Sequence, residues 1–299
     1  MIFRPNNIEQ EILDELNEAD LTKHLKNYCL FLDSLINLNE TLTESKLKIP
    51  LWQIYSETLT IKFILHSNSL YQLFLAHPLR SQQMKKDLRF LDISSILVLS
   101  RTLLENFLTH WHIYINPISI EEQEFRFNVW VYSSLIDRKK NRGIRRILTE
   151  ELRLREEKEI QEYEYKLINS KFLKELTPKQ QNQLLKKGNT RLFKDWRTII
   201  DECEFADAKT WKEHYGYLSG FTHSEGISAA KIRFNYNNNP DEVNNEAILC
   251  CYMIKMLMAK FIMELVSKYK IIEIKFNTFP LEIREAIKIY SIIASNKKV

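Results

Sequence analysis

The sequence predicts an all-α protein, and three observations carry that expectation. Glycine is scarce, with 5 in 299 residues against an average usage of about 7%. Proline is scarce too, at 7, so the chain has few tight turns available. Long stretches also repeat apolar residues at helical spacing, with Asn, Asp, Ser, Thr or Pro at their starts. An apolar content of 44% and a charged content of 27% belong to an ordinary globular protein and exclude collagen-like, mucin-like and wholly disordered chains. The lack of glycine also argues against a Rossmann fold or a P-loop, which need it at phosphate turns.

Taken in order, Asn7 is expected to cap a helix over Ile8–Glu18, and Leu25, Leu32 and Leu35 form one stripe of a second, Leu21–Asn39. Pro50 opens a long third helix, Leu51–Ala76, which His77-Pro78 ends. Asp92 caps Ile93–Ile115, closed by Asn116-Pro117. A fifth helix covers Ile120–Lys140, and Gly143 marks a break. The polar arm Thr149–Lys166 alternates acids and bases, as a solvated helix laced with i,i+4 pairs does. Thr177-Pro178 starts a short helix that Gly188 stops. Asp195–Glu204 and Ala208–Gly226 follow, with Gly226 as a C-cap. Lys231–Tyr236 reads as a short strand and Asn237–Pro240 as a turn. Asp241–Lys270 is a long buried helix, and Pro280 opens the last, Leu281–Ser295. The whole is expected to be one helical bundle, residues 1–299, with an inserted charged helical arm at 138–188.

The formal net charge is +4, too small for bulk attraction to nucleic acid. It is concentrated, however: between Asp137 and Arg146 stand Arg138, Lys139, Lys140, Arg142, Arg145 and Arg146 against a single acid. Of these, Lys139, Lys140, Arg142, Arg145 and Arg146 are the candidate contacts to an RNA backbone. The four cysteines form no C-x-x-C pair, which fits reduced thiols in the cytoplasm. Neither apolar stretch, Ile93–Leu104 or Ala247–Val266, is free of charge for about 18 residues, so no membrane span is expected.

Two polar stripes interrupt otherwise apolar or glycine-faced helices. In the first, Arg101, Glu105 and His112 fall within about 40° of one another on a helix that is apolar nearly all round. Buried charges must be paired. Arg before Glu at i,i+4 is the weaker order for an intrahelical pair, so the two are expected to be held for a third group. In the second stripe, Tyr215, Ser219 and His223 repeat at i,i+4 beside Gly216 and Gly220, where another backbone or a ligand can approach closely. His223 and the Arg101/Glu105 pair are expected to meet across two packed helices. Glu105, His112, His214 and His223 are suitable metal ligands by type. They lack H-E-x-x-H or E-x-x-H spacing, and neither metal nor cofactor is expected.

The residues Arg101–Glu105 (Arg-Thr-Leu-Leu-Glu) and Tyr215–His223 (Tyr-Gly-Tyr-Leu-Ser-Gly-Phe-Thr-His) resemble those of domain of unknown function 5677. That is a helical bacterial family with an Arg-x-x-x-Glu helix and a later Tyr…Leu-Ser-x-x-x-His helix. The resemblance spans roughly residues 51–266 and implies a helical bundle. More distantly, the His-ended helix is similar to HEPN bundles, many of which are dimeric, metal-independent ribonucleases of toxin and phage-defence systems. Their signature places Arg shortly before His. None of the seven histidines here has an Arg five to seven positions upstream, so Arg101 would supply the cation from another helix. The resemblance implies a homodimeric effector that cleaves RNA, with Arg101, Glu105, Tyr215, Ser219 and His223 at its site. The alternative expectation is a non-catalytic scaffold, in which the same residues form a buried polar lock and the charged arm binds a partner protein.

Overall fold

The computed structural model of the chain describes residues 7–45, 50–75, 79–80, 87–88, 91–141, 143, 149–222, 226–237 and 240–295. The architecture is all-α. Its first helices are α1 (Asn7–Leu16), α2 (Leu21–Glu44), α3 (Leu51–Phe74), α4 (Ile93–His110) and α5 (Ile120–Lys140). Then come α6 (Glu150–Ile168), α7 (Lys171–Lys174), α8 (Pro178–Lys187), α9 (Trp196–Glu202) and α10 (Ala208–Thr222). The last are α11 (Gly226–Asn237), α12 (Pro240–Lys268), α13 (Lys270–Phe276) and α14 (Leu281–Ala294). The named strands among the described residues are a two-residue antiparallel pair, β1 (Leu79–Arg80) with β2 (Asp87–Leu88).

Local chemistry sets most helix ends. The Asp20 carboxylate accepts from Thr22 N at 2.9 Å and Asp92 accepts from Ser95 N at 3.0 Å, which satisfies first-turn donors. Ser119 and Thr149 do the same for α5 and α6. Thr177 and Gln180 form a reciprocal capping box, with Pro178 as the first residue of α8. Gly188 ends that helix at φ 68°, and a Cβ there would stand 2.9 Å from Ser133 Cα. The tail of α8 thus comes closer to α5 than any side chain allows.

Three expectations are corrected. Lys231–Tyr236 is not a strand but lies within α11. Its short polar/apolar alternation follows two helix-forming alanines, and no named strand pairs with it. Gly226 does not cap α10; it is the first residue of α11. The turn at residues 237–240 has its centre outside the described residues.

The α-helical hydrogen bonding expected to run through Ile115 stops at His110 and gives way to a π-helical turn, Trp111–Ile115. Asn116 N donates to Trp111 O at 2.9 Å, one residue further back than in an α-helix. Arg126 Nη1 donates instead to the His112 carbonyl at 2.7 Å.

The chain divides into two compact units, residues 1–108 with 200–299, and residues 109–199. In the first, α12 packs against α14 and α2, and α2 packs against α3. Phe261 on α12 meets Phe63 and Phe107 edge-to-face, with centroids 5.1 Å and 5.7 Å apart, a favoured aromatic geometry. In the second, α5 packs against α6 and α8. The core there is Phe125, Val129, Tyr132, Leu135, Ile160, Leu167, Leu173 and Leu184. Among the described residues, no helix is long and apolar enough to cross a membrane.

Candidate functional site

Helices α4 and α10 bring three of the expected site residues together. Arg101 and Glu105 lie one turn apart on α4, and Tyr215 projects from α10. Arg101 Nε donates to Glu105 Oε1 at 3.0 Å, and Arg101 Nη2 donates to the Tyr215 hydroxyl at 3.2 Å. That hydroxyl in turn donates to Glu105 Oε1 at 3.1 Å. The guanidinium carbon also stands 5.3 Å from the Tyr215 ring centroid, within cation–π range. The third group that Arg and Glu share is therefore Tyr215, and the two also bond each other directly.

Burial opposes the charge on Arg101, but the Glu105 carboxylate and the Tyr215 hydroxyl outweigh it and raise the guanidinium pKa above its ordinary value. Burial, with the Glu105 charge added to it, raises the Tyr215 phenol, so it stays protonated as a donor. The cluster is only partly enclosed. The side chains of Arg101 and Glu105 are 14% and 30% exposed. Arg101 Nη1, a buried atom, has no hydrogen-bond partner among the described residues. An unmet donor of this kind costs about 1–3 kcal/mol.

Ser219 lies one turn beyond Tyr215, and its hydroxyl donates back to the Tyr215 carbonyl at 3.0 Å. This local bond is typical of serine in a helix. His223 lies outside the described residues, as do Arg142, Arg145 and Arg146. Lys139 and Lys140 are exposed at the end of α5, where Lys140 Nζ donates to the Lys187 carbonyl at 3.0 Å. Their neighbour Arg138 pairs with Glu156 on α6. His112, expected on the Arg101 stripe, has its ring against Arg126 on α5, with Nδ1 and Nη1 3.1 Å apart. His214 sits on α10, where burial depresses its pKa to about 4, so it is neutral at pH 7.

Sequence reasoning missed the buried lysines of α12. Lys255 is fully buried and pairs with Glu15 of α1. Lys255 Nζ also donates to the Tyr290 hydroxyl at 3.1 Å, and Tyr290 donates to Glu15 Oε2 at 2.9 Å. Lys260 donates to Glu264 Oε1 at 3.3 Å and to Ser295 Oγ at 3.0 Å. A lysine inside an apolar helix needs such partners. That was the available signal, though it does not say which distant carboxylate answers it. On α11, Lys231 closes a similar cluster with Tyr217 of α10 and Glu246 of α12.

A cavity of about 90 Å³ beside Ile12, Asn27, Phe31 and Ala286 is far below the roughly 300 Å³ at which small-molecule pockets begin. Among the described residues, no group of three His, Cys, Asp or Glu could hold a metal ion. No family model, curated protein or solved structure matches this chain.

Proposed function

We propose that this protein is a helical effector of the HEPN-like, toxin or phage-defence type that cleaves RNA without a metal, with Arg101 as its phosphate-binding cation. The observation that supports this is the state of the Arg101 fork. Nε and Nη2 are committed to Glu105 and Tyr215, while Nη1 has no partner among the described residues. A guanidinium clamped at two corners with the third unspent is prepared for an oxyanion and needs no reorganisation when charge develops on it. Glu105 and Tyr215 act as positioning residues. In this proposal His223 moves the proton of a ribose hydroxyl, the general acid–base role that histidine most often fills. The basic residues 139–146 track the RNA backbone, and the active species is a homodimer in the cytoplasm.

A second reading is favoured by the closure of the cluster on itself. Arg101, Glu105 and Tyr215 bond one another in a ring, as a structural clamp between helices would. Exposed Leu154 and Tyr165 on α6 would then serve a scaffold that docks a partner protein.

Arg101→Lys separates the two, because lysine keeps the charge but loses the planar fork. As an anion-binding residue, Arg101 is expected to lose RNA cleavage in this variant by about 10²-fold or more while the melting temperature moves little. A clamp predicts the opposite: a lowered melting temperature and no cleavage even by the wild type. His223→Ala is the companion variant, expected to lose cleavage by about 10²–10⁴-fold with the fold intact.

A further inference from the structure

Helix α3 carries two apolar faces. On one, Trp52, Leu59, Phe63, Leu70 and Phe74 are buried within the protomer, and Phe63 packs on Phe261 of α12. On the other, Leu51, Ile54, Ile61, Leu65 and Leu75 are exposed, Leu51 and Leu65 by 63% and 61%. Single exposed apolar residues are ordinary. Five aligned along one helix form an unpartnered stripe, which marks an interaction surface.

The alignment is a heptad. With Thr58, Asn68 and Gln72 filling its gaps, the stripe alternates steps of three and four residues from Leu51 to Leu75, the a and d positions of a coiled coil. Every one of these positions is exposed. The residues of α3 buried within the protomer fall only at b, c and f. The helix therefore has one side left to offer, and that side has the pattern of a two-helix seam.

Charges flank the seam. Glu57 falls at a g position and Lys62 at the e position of the next heptad. In two parallel helices in register, g of one chain lies beside the following e of the other. Glu57 then meets the second copy's Lys62, and two-fold symmetry makes the contact twice. Lys62 is exposed. Glu57 is half-buried and accepts a hydrogen bond from Thr43 of α2, which leaves other lone pairs of the carboxylate for a cation. An antiparallel pair centred on the same stripe would instead bring the two Lys62 side chains together. The polar layers favour the same register. In it Thr58, Asn68 and Gln72 each meet their own counterpart, whereas a slip of one heptad sets them against Leu65, Ile61 and Leu65 at a desolvation cost.

We propose that the outer face of α3 is the interface of a homodimer, in which two copies of this chain pack their α3 helices parallel and in register, with Glu57 of each meeting Lys62 of the other. A second copy is the occupant because the stripe complements itself in its apolar layers, its polar layers and its charges, as a two-fold interface demands. The homodimer of the proposed function thereby gains its surface. None of the interface residues belongs to the Arg101 cluster, so the dimer stands or falls independently of RNA cleavage.

The test is sedimentation equilibrium of the full chain over a concentration series, without RNA, with circular dichroism verifying the fold of each variant. The wild type is expected to dimerise reversibly. Ile61→Glu, on an exposed side chain, sets two like charges against each other in the seam and should weaken the dimer by about 30-fold or more. Glu57→Lys and Lys62→Glu each make both flanking contacts repulsive and should weaken it by about tenfold. An equimolar mixture of these two variants should restore it, because opposite charges then meet at both edges. A wild type that stays monomeric throughout, or a dimer that Ile61→Glu leaves intact, overturns the interface and leaves the stripe to a partner of another kind. A dimer that Ile61→Glu breaks but that the two charge variants do not re-form on mixing overturns the parallel arrangement.

Discussion

Arg101 and Lys255 are two enclosed cations resolved in different ways. Lys255 is surrounded: Glu15 meets its charge, and Tyr290 and Asn27 bond the same carboxylate, Asn27 Nδ2 donating at 2.5 Å. Removing one partner strands the other. Glu15→Gln is expected to cost about 3–5 kcal/mol, whereas the double replacement Glu15→Leu with Lys255→Met should cost less, because it strands the Tyr290 hydroxyl but no charge. Urea denaturation of the two variants checks this; equal losses in both would contradict it. Arg101 keeps one nitrogen unspent, and that difference separates a structural pair from a candidate site. The Arg101/Glu105 stripe was legible in the sequence because two charges stand in an apolar helix. Tyr215 was legible as a neighbour of small residues, but its direct bond to Arg101 was not, because helical periodicity fixes a face and not the partner across it. Lys255 is as visible in the sequence as Arg101, since it breaks the apolar run Ala247–Val266, but no spacing names Glu15 as its partner.

At the level of elements, caps and breakers carried most of the information. Ser119, Thr149, Thr177 and Pro280 stand at or just before helix starts, where their side-chain acceptors or fixed φ belong. Gly188 does more than stop α8. Its φ of 68° and the 2.9 Å approach to Ser133 mean that any side chain strains both the turn and the packing on α5. Gly188→Ala should therefore destabilise the protein by about 1–3 kcal/mol, seen as a lowered thermal midpoint. An unchanged midpoint would show that α8 can move away from α5. Two elements escaped sequence reasoning for physical reasons. The π turn at Trp111–Ile115 depends on Arg126, fourteen residues beyond His112, taking a helix carbonyl. Helix α11 hides behind a short polar/apolar alternation, and its Lys231 is held by Tyr217 and Glu246 of other helices.

For the whole molecule, each unit contains a histidine held neutral by its surroundings: half-buried His214 with a pKa of about 4 and buried His112 with one of about 3. Both values lie below the roughly 6.5 of an unfolded histidine. Between these limits the unfolded chain binds more protons than the folded one, so stability rises with pH across that window and falls on acidification. Denaturant midpoints should already decline from pH 6.5 toward 4.5, before most carboxylates titrate; a flat profile there would contradict the burial of these rings. The central claim concerns the Arg101 cluster, and its most direct test is incubation of the purified full chain with labelled single-stranded RNA in excess EDTA. The prediction is metal-independent cleavage that Arg101→Lys lowers by about 10²-fold or more at an unchanged melting temperature. RNA left intact by the wild-type protein, or cut equally well by Arg101→Lys, would contradict it.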